Sequence, residues 1–356
     1  MPIAFESPTE DIYFLLLPAF SVMGFVSAVE PLRVANRFRN GLYRWHILSV
    51  DGGPVTASNG MSLNAEAAAQ SVLSAPQLFV VGGFDPLVHY TAALGAWLRT
   101  LDRAGTVLGA IDTGSFLLAE AGLLQGQKLT LHWEASAAFA ERYPALAPSV
   151  TQELFEIDGQ RITSAGGTAS IDMMLALMGR KHGHALAAEV SEQFVLGRIR
   201  NPSDHQRMQI AARYGIHSRK TIQVISEMEG HMEEPLSTEA LAASIGVTRR
   251  QLERLFATHL KETPSHFYLG LRLDRARQLL RQTEMRIIEV SVACGFESAS
   301  YFSRAFRSRF AATPRQDRMG LPSEGPETRK PPEGRSPTKK PPEGGSITKK
   351  PPEGGF

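Results

Sequence analysis

Apolar positions divide the chain into two differently patterned stretches. From about residue 10 to 200, short apolar runs alternate with amphipathic segments. Ile12–Leu17, Trp45–Val50, Leu78–Val81 and Val107–Ile111 read as buried strands, and Val22–Phe38 reads as the helix returning from the first of them. Continuous apolar runs broken by helical segments predict a parallel sheet with helices on both faces. Beyond residue 220 the period becomes helical. Ile222, Ile225, Met228 and Met232 repeat at helix spacing within Thr221–Glu234, and Leu269, Leu273, Ala276 and Leu280 follow i, i+4, i+7, i+11. Flanking that second stripe are two similar segments, Glu239–Phe256 (EALAASIGVTRRQLERLF) and Glu289–Arg318 (EVSVACGFESASYFSRAFRSRFAATPRQDR). Each is a short apolar helix closed by Gly-Val or Gly-Phe, then a small polar capping residue, then a second helix. Gly246 and Gly295 lie 49 positions apart, and Arg254 and Arg304 lie 50 apart. The chain therefore predicts two helix-turn-helix units in tandem, joined by a connecting helix.

In such a unit the second helix enters the major groove, and its inner face stays apolar to hold it on the first helix. Leu252, Leu255 and Phe256 supply that face in the first unit, and Phe302, Phe306 and Phe310 supply it in the second. The opposite face then offers Arg249, Arg250, Glu253 and Arg254, and in the second unit Ser298, Ser300, Tyr301 and Arg304, as DNA-binding residues. Arginine makes forked contacts to guanine, while hydroxyls and carboxylates read other base edges. Any one of these arginines is equally well read as a solvated surface charge; two matching units favour double-stranded DNA as the partner. The segments LSTEALAASIGVTRRQLERLF, TPSHFYLGLRLDRARQLL and ACGFESASYFSRAFRSRF resemble the AraC family of bacterial transcription regulators, over roughly Thr221–Arg318. Ser291 stands where that family usually has Ala, and ATPRQDR is less regular than its usual ending. The resemblance implies promoter binding, activation more than repression, and contact with RNA polymerase.

The overall charge of +2 conceals an asymmetry. Residues 1–200 hold 13 Lys and Arg against 18 Asp and Glu, whereas residues 248–318 hold 14 against 7. An acidic front and a basic back suit a sensor joined to a phosphate-binding module. The single cysteine, Cys294, excludes an intrachain disulfide and a thiolate metal cluster, and no metal or cofactor is expected. Beside Gly295 in an apolar helix it reads as a packed small hydrophobe, with a redox-sensitive thiol as the competing reading. Ile12–Val29 is an uncharged run of 18 residues, but Pro18 interrupts it and Glu6, Glu10 and Asp11 precede it. A strand followed by a helix explains it better than a membrane span or a leader, so the chain is read as cytoplasmic, with no membrane partner.

The front half concentrates its glycines at strand ends, in Gly82-Gly83, Asp112-Thr113-Gly114 and Gly166-Gly167, where an open α/β sheet places its ligand crevice. GAIDTGSFLLAEAGLL, Gly109–Leu124, has the strand, sharp turn and helix of a nucleophile elbow. It resembles the PfpI-type branch of the glutamine-amidotransferase-like superfamily, whose elbow reads Ala-Ile-Cys-x-Gly. Glu30, VVGG at Val80–Gly83, LHW at Leu131–Trp133 and TSAGGTASIDMMLAL at Thr163–Leu177 extend the likeness over roughly residues 10–195. The whole chain thus resembles the GlxA-type regulators, which implies an α/β flavodoxin-like sandwich acting as a sensor, followed by an all-α double helix-turn-helix domain. It also implies dimerisation through the α/β half, and an effector among amino acids or quaternary amines such as betaine and carnitine.

Where the enzymes carry their elbow cysteine, this chain carries Asp112. A carboxylate cannot replace a thiolate in that chemistry, so no catalytic residue is assigned. The alternative is a PfpI-type hydrolase or deglycase that also binds DNA. On the sensor reading, Glu30, Asp112, Thr113, His132 and Trp133 line a ligand-binding crevice for a cationic metabolite, since a carboxylate attracts ammonium or guanidinium and an indole face attracts cations. Structural roles compete at each position: a helix cap for Asp112, a satisfied buried imidazole for His132, core packing for Trp133, a surface charge for Glu30. The expected division is a sensor over 1–200, a linker over 201–220, a DNA-binding domain over 221–318 and a tail over 319–356. The tail repeats KPPEGRSPTK, KPPEGGSITK and KPPEGGF, a composition too poor in apolar residues to order itself.

Overall fold

A computed structural model describes residues 8–320; the repeat tail, apart from Met319 and Gly320, lies outside the described residues. The first half is built on nine strands: β1 (Glu10–Leu16), β2 (Tyr43–Ser49), β3 (Val55–Thr56), β4 (Ser62–Leu63), β5 (Ala67–Ala68), β6 (Gln77–Val81), β7 (Val107–Ile111), β8 (Phe155–Asp158) and β9 (Arg161–Ser164). Six helices accompany them: α1 (Val22–Phe38), α2 (Ala92–Arg103), α3 (Ser115–Glu120), α4 (Ser136–Arg142), α5 (Ala169–His182) and α6 (His184–Gln193). The main sheet has the order β5-β2-β1-β6-β7-β9-β8. Its pairings are parallel except the last, where β8 runs antiparallel to β9, and β3 and β4 form a separate hairpin.

Alternation along β1 explains the two covered faces. Phe14 and Leu16 join a core with α1, α5 and α6, while Leu15 and Leu17 join a second core with α2, α3 and α4. This is the expected α/β flavodoxin-like sandwich, with two differences. The antiparallel edge β8–β9 was not anticipated, although Asp158-Gly159 is a hairpin signal and Gly159 has φ +57°. β1 and β2 also start two residues before their apolar runs. Glu10 pairs with Tyr43 in register, and the acidic side chains there are neutralised, Glu10 by His182 (2.7 Å) and Lys181 (2.8 Å), Asp11 by Arg44 (2.8 Å). The uncharged run Ile12–Val29 resolves into β1, a turn and the start of α1, and among the described residues no helix is long and apolar enough to cross a membrane.

The second half is helical: α7 (Ile210–Tyr214), α8 (Arg219–Gly230), α9 (Thr238–Ser244), α10 (Arg249–His259), α11 (Pro264–Gln282), α12 (Ile287–Ala293), α13 (Ala299–Phe310) and α14 (Pro314–Arg318). α9–α10 and α12–α13 are the two helix-turn-helix units. Each has its own core, and α11 serves both, giving Phe267 and Tyr268 to the first and Leu273, Ala276, Leu279 and Leu280 to the second. Gly246 (φ +64°) and Gly295 (φ +70°) make the turns in a backbone conformation that disfavours other residues. At Gly295 a Cβ would also sit 2.5 Å from Pro235 Cγ. Arg272 on α11 closes this second turn by donating to the Cys294 carbonyl (2.8 Å). Cys294 is fully buried, and burial pushes its thiol up to about 12 against the pull of Arg275 and Arg272, as a packed hydrophobe would be. The neighbouring Ser291 is equally buried, and its hydroxyl has no partner among the described residues.

Residues 201–220, read from the sequence as a linker, are held at both ends. Pro202 accepts from Leu154 N–H (2.9 Å), and Gln206 Nε2 donates to Thr130 Oγ1 (2.8 Å), Glu153 O (2.9 Å) and Leu131 O (3.1 Å). From Ile210 onward, Tyr214 and Ile216 belong to the first helix-turn-helix core.

The carboxyl end of the described chain is anchored by Asp317. It is 5% exposed, and Arg281 (2.8 Å) and Arg277 (3.0 Å) of α11 converge on it. Burial alone would raise its carboxyl pKa, but the two guanidinium groups outweigh burial and hold it below the usual value. A depressed folded-state pKa contributes stability that is present above about pH 4 and is lost as pH falls through the folded value. Asp317→Asn should lower stability at neutral pH by about 1–2 kcal/mol, since both arginines remain partly solvated. In calorimetry the gap from the parent protein should close as pH drops below about 4.

Candidate ligand pocket and nucleic-acid interface

Strand order reverses at β1, where β2 lies on one side and β6 on the other, so a crevice opens above the carboxyl ends of β1, β6 and β7. Gly82 follows β6 and bridges this edge: its N–H donates to Ile111 O (3.1 Å), and its carbonyl accepts from Ser21 N–H (2.9 Å). Asp112 follows β7 with φ +62°, a left-handed conformation that Asp tolerates better than most residues. The sharp turn lifts its side chain into the crevice, as expected of an elbow. Thr113 lies beneath, donating its hydroxyl to Gly83 O (2.5 Å). Space for the carboxylate comes from Gly166 (φ +81°) at the end of β9; a Cβ there would stand 2.7 Å from Asp112 Oδ2.

Four groups set the charge of this crevice. Burial pushes the Asp112 carboxyl up to about 6; His132, the Ser21 hydroxyl and the Thr113 backbone N–H pull it down, and Glu134 adds to the rise. Ser21 has two duties, because its hydroxyl also accepts from Gly24 N–H (3.2 Å) as the cap of α1. Among the described residues no lysine or arginine pairs with Asp112. The site therefore sets a half-buried acid, its carboxyl pKa raised by burial, beside an imidazole.

The sequence-predicted ligand residues do not all meet. Asp112, Thr113 and His132 are brought together, and Trp133 follows with its ring 5.6 Å from that of His132. One face of Trp133 is already covered, by the Arg207 guanidinium 4.4 Å from its centroid. Glu30 stands apart. It lies six residues beyond Gly24 on α1, with its side chain 35% exposed, and accepts from Arg33 at 2.7 Å. The position of α1 that reaches the elbow is Gly24, where a Cβ would lie 3.0 Å from Ile111 Cγ2 and 3.5 Å from Gly167 N. Sequence reading missed Ser21, Glu134 and Arg207; only Ser21 carried a signal, as a capping residue at the start of a predicted helix.

The candidate DNA face lies on α10 and α13. Both helices start with a cap, Thr248 accepting from Gln251 N–H and Ser298 from Tyr301 N–H (both 3.3 Å). Residue by residue, Gln251–Leu260 and Tyr301–Phe310 share one pattern of exposure. Leu252 and Phe256 in one, and Phe302 and Phe306 in the other, are buried. Arg250, Arg254, Ser300, Tyr301 and Arg304 are exposed, and among the described residues no carboxylate pairs with these arginines. Arg249 is exposed but held by Glu239 and Glu253 (both 2.9 Å), so Glu253 is its partner in this state. Ser298 spends its hydroxyl on the cap and on Ser300 Oγ (3.0 Å).

Comparison with known proteins agrees with both halves. Residues 11–180 match the DJ-1/PfpI family, and residues 241–319 match a helix-turn-helix domain family. The HTH-type transcriptional regulator CdhR of Pseudomonas aeruginosa is 66% identical over 323 residues, which cover 91% of this chain and 96% of that protein. GbdR, an HTH-type regulator of the same species, is 46% identical over 88% of this chain and 85% of its own length. GlxA of Rhizobium meliloti, another HTH-type regulator, is 37% identical over 86% of this chain and 94% of its own. With a parallel α/β domain in front and two helical readers behind, the chain belongs to the AraC-type helix-turn-helix transcription regulators that carry a DJ-1/PfpI domain.

Proposed function

We propose that this regulator is a cytoplasmic activator whose front domain has become a sensor without catalytic activity, binding a small nitrogenous metabolite, an amino acid or a quaternary amine. The carboxylate of Asp112 supports this most directly. It stands at the elbow in place of a nucleophilic thiol, and it is half-buried with no lysine or arginine paired to it among the described residues. A cationic effector would supply the partner that charge lacks. Thr113 and His132 complete the proposed pocket, Trp133 forms its outer wall, and the Gly166 backbone leaves the necessary room. The competing hydrolase or deglycase reading would need another nucleophile, and the only thiol, Cys294, is buried in the second helix-turn-helix unit. Activation, contact with RNA polymerase and homodimerisation through the α/β half rest on the family likeness.

On the DNA side we propose that Arg250, Arg254 and Arg304 read bases, with Ser300 and Tyr301 beside them. Arg249, Glu253 and Ser298 take part after or through their present partners.

Thermal-shift measurements against amino acids and betaines test the pocket. A cationic effector should stabilise the parent protein, and Asp112→Asn should remove that shift while leaving the protein folded. Binding should be about tenfold weaker at pH 5 than at pH 7, as Asp112 takes up its proton. Without any ligand the raised folded-state pKa has the opposite sign to that of Asp317: the contribution of Asp112 to stability is greatest below about pH 4 and declines as pH rises to about 6. Asp112→Asn should abolish that decline, which calorimetry across the same pH range reads directly. Unchanged effector stabilisation in Asp112→Asn would refute the pocket.

For the DNA face, Arg250→Ala or Arg304→Ala should each weaken binding to the target promoter by about 1–3 kcal/mol and relax preference at particular base pairs. Equal weakening on every duplex would point instead to phosphate contacts alone.

A further inference from the structure

Arg207 lies where the two halves meet. Its guanidinium covers the ring of Trp133 at 4.4 Å, and its Nη1 stands 3.6 Å from Glu229 Oε1 on α8. Its side chain is 36% exposed, Glu229 is 22% exposed, and Arg213 of α7 joins the same carboxylate at 2.5 Å. Immediately before it, Gln206 is fixed to the loop that leads into His132 by two hydrogen bonds, to Thr130 Oγ1 and Leu131 O, and by a third to Glu153 O. The short turn Trp133–Ala135 also packs on α11, and Ala137 of α4 enters the core of the second helix-turn-helix unit.

A cation over an indole is held by the ring quadrupole and depends on the ring's position within about 6 Å. Trp133 cannot shift without His132, its neighbour in the chain and in space, and His132 faces Asp112. A movement of the His132–Trp133 pair on ligand entry would therefore be felt by Arg207, and through Glu229 by α8, which packs on α9 and α10.

We infer that Arg207 is a latch coupling the sensor crevice to the first helix-turn-helix unit, its guanidinium held on the sensor side by Trp133 and on the reader side by Glu229. The coupling rests on the proposed ligand pocket for its purpose, but the latch itself exists without ligand. Coupling in this sense requires one element with two arrangements that both sites bias, and Arg207 is placed to be that element.

Hydrogen exchange measured by mass spectrometry on the full chain tests this without an effector. Trp133→Leu and Arg207→Ala should each raise exchange across Arg219–Gly230 several-fold, although among the described residues no hydrogen bond joins Trp133 to Glu229. The double variant should show no further increase, because both changes break one link. If Arg207→Ala fails to fold, Arg207→Lys, which keeps the charge toward Glu229 but loses the flat face over the indole, should give the same reading. Exchange that changes only around Trp133, or effects that add in the double variant, would overturn the latch. An Asp112-dependent thermal shift beside an unresponsive α8 would leave the pocket standing and remove the latch alone.

Discussion

A half-buried carboxylate with no lysine or arginine paired to it among the described residues is the constraint around which the front domain is arranged. Asp112 reaches its position only because β7 ends in a left-handed turn, and it fits only because Gly166 has no side chain. Its partners come from distant stretches: Ser21 after β1, Gly166 after β9, His132 and Glu134 after α3. No local segment could assemble the group. The sheet has to form first, so the site is a product of tertiary structure, and its unfavourable desolvation is carried by two extensive apolar cores on either side. An enzyme with this architecture would use such crowding to sharpen a nucleophile. Here the same crowding raises the carboxyl pKa of an acid that stands where such an enzyme has its thiol.

The back domain solves a different problem, the spacing of two readers. Each helix-turn-helix unit has its own core, and the single helix α11 runs through both, so the distance between readers is set by the length of one rigid element. Arg272 ties α11 to the second turn, and Arg277 and Arg281 tie it to α14. The matching exposure patterns of α10 and α13 follow from this repetition: the same helix phase buries an apolar pair and turns arginine outward in both.

Much of this was legible in the sequence, and the failures are instructive. α1 runs over Val22–Phe38 as its pattern implied, because a capping Ser, apolar period and polar exit agree. The elbow was legible because a strand, a glycine-containing turn and a helix follow one another locally. Glu30, a charged residue inside an apolar helix, attracts notice in the sequence and is paired with Arg33, whereas Gly24, which packs against the end of β7, matters through a missing side chain that no pattern advertises. Arg207 was invisible for another reason. Its partner Trp133 is 74 positions away, and neither residue belongs to a periodic pattern, so only folding brings them together. The hairpin β8–β9 carried a turn signal, but its strands are four residues each and too short to stand out.

The internal ion pairs of the readers bear on how the protein responds to ionic strength. Arg249 is already neutralised by Glu239 and Glu253, and Arg309 by Asp274. Displacing condensed cations from a duplex takes positive charge that is free to be delivered, and each phosphate neutralised contributes a slope of about 0.9 in log affinity against log salt. On the proposed DNA face Arg250, Arg254, Arg304 and Arg307 carry no such pair among the described residues, so fewer charges are free for that exchange than a count of arginines gives. A helix pair with that internal pairing would lose less affinity as salt rises than its full complement of arginines implies.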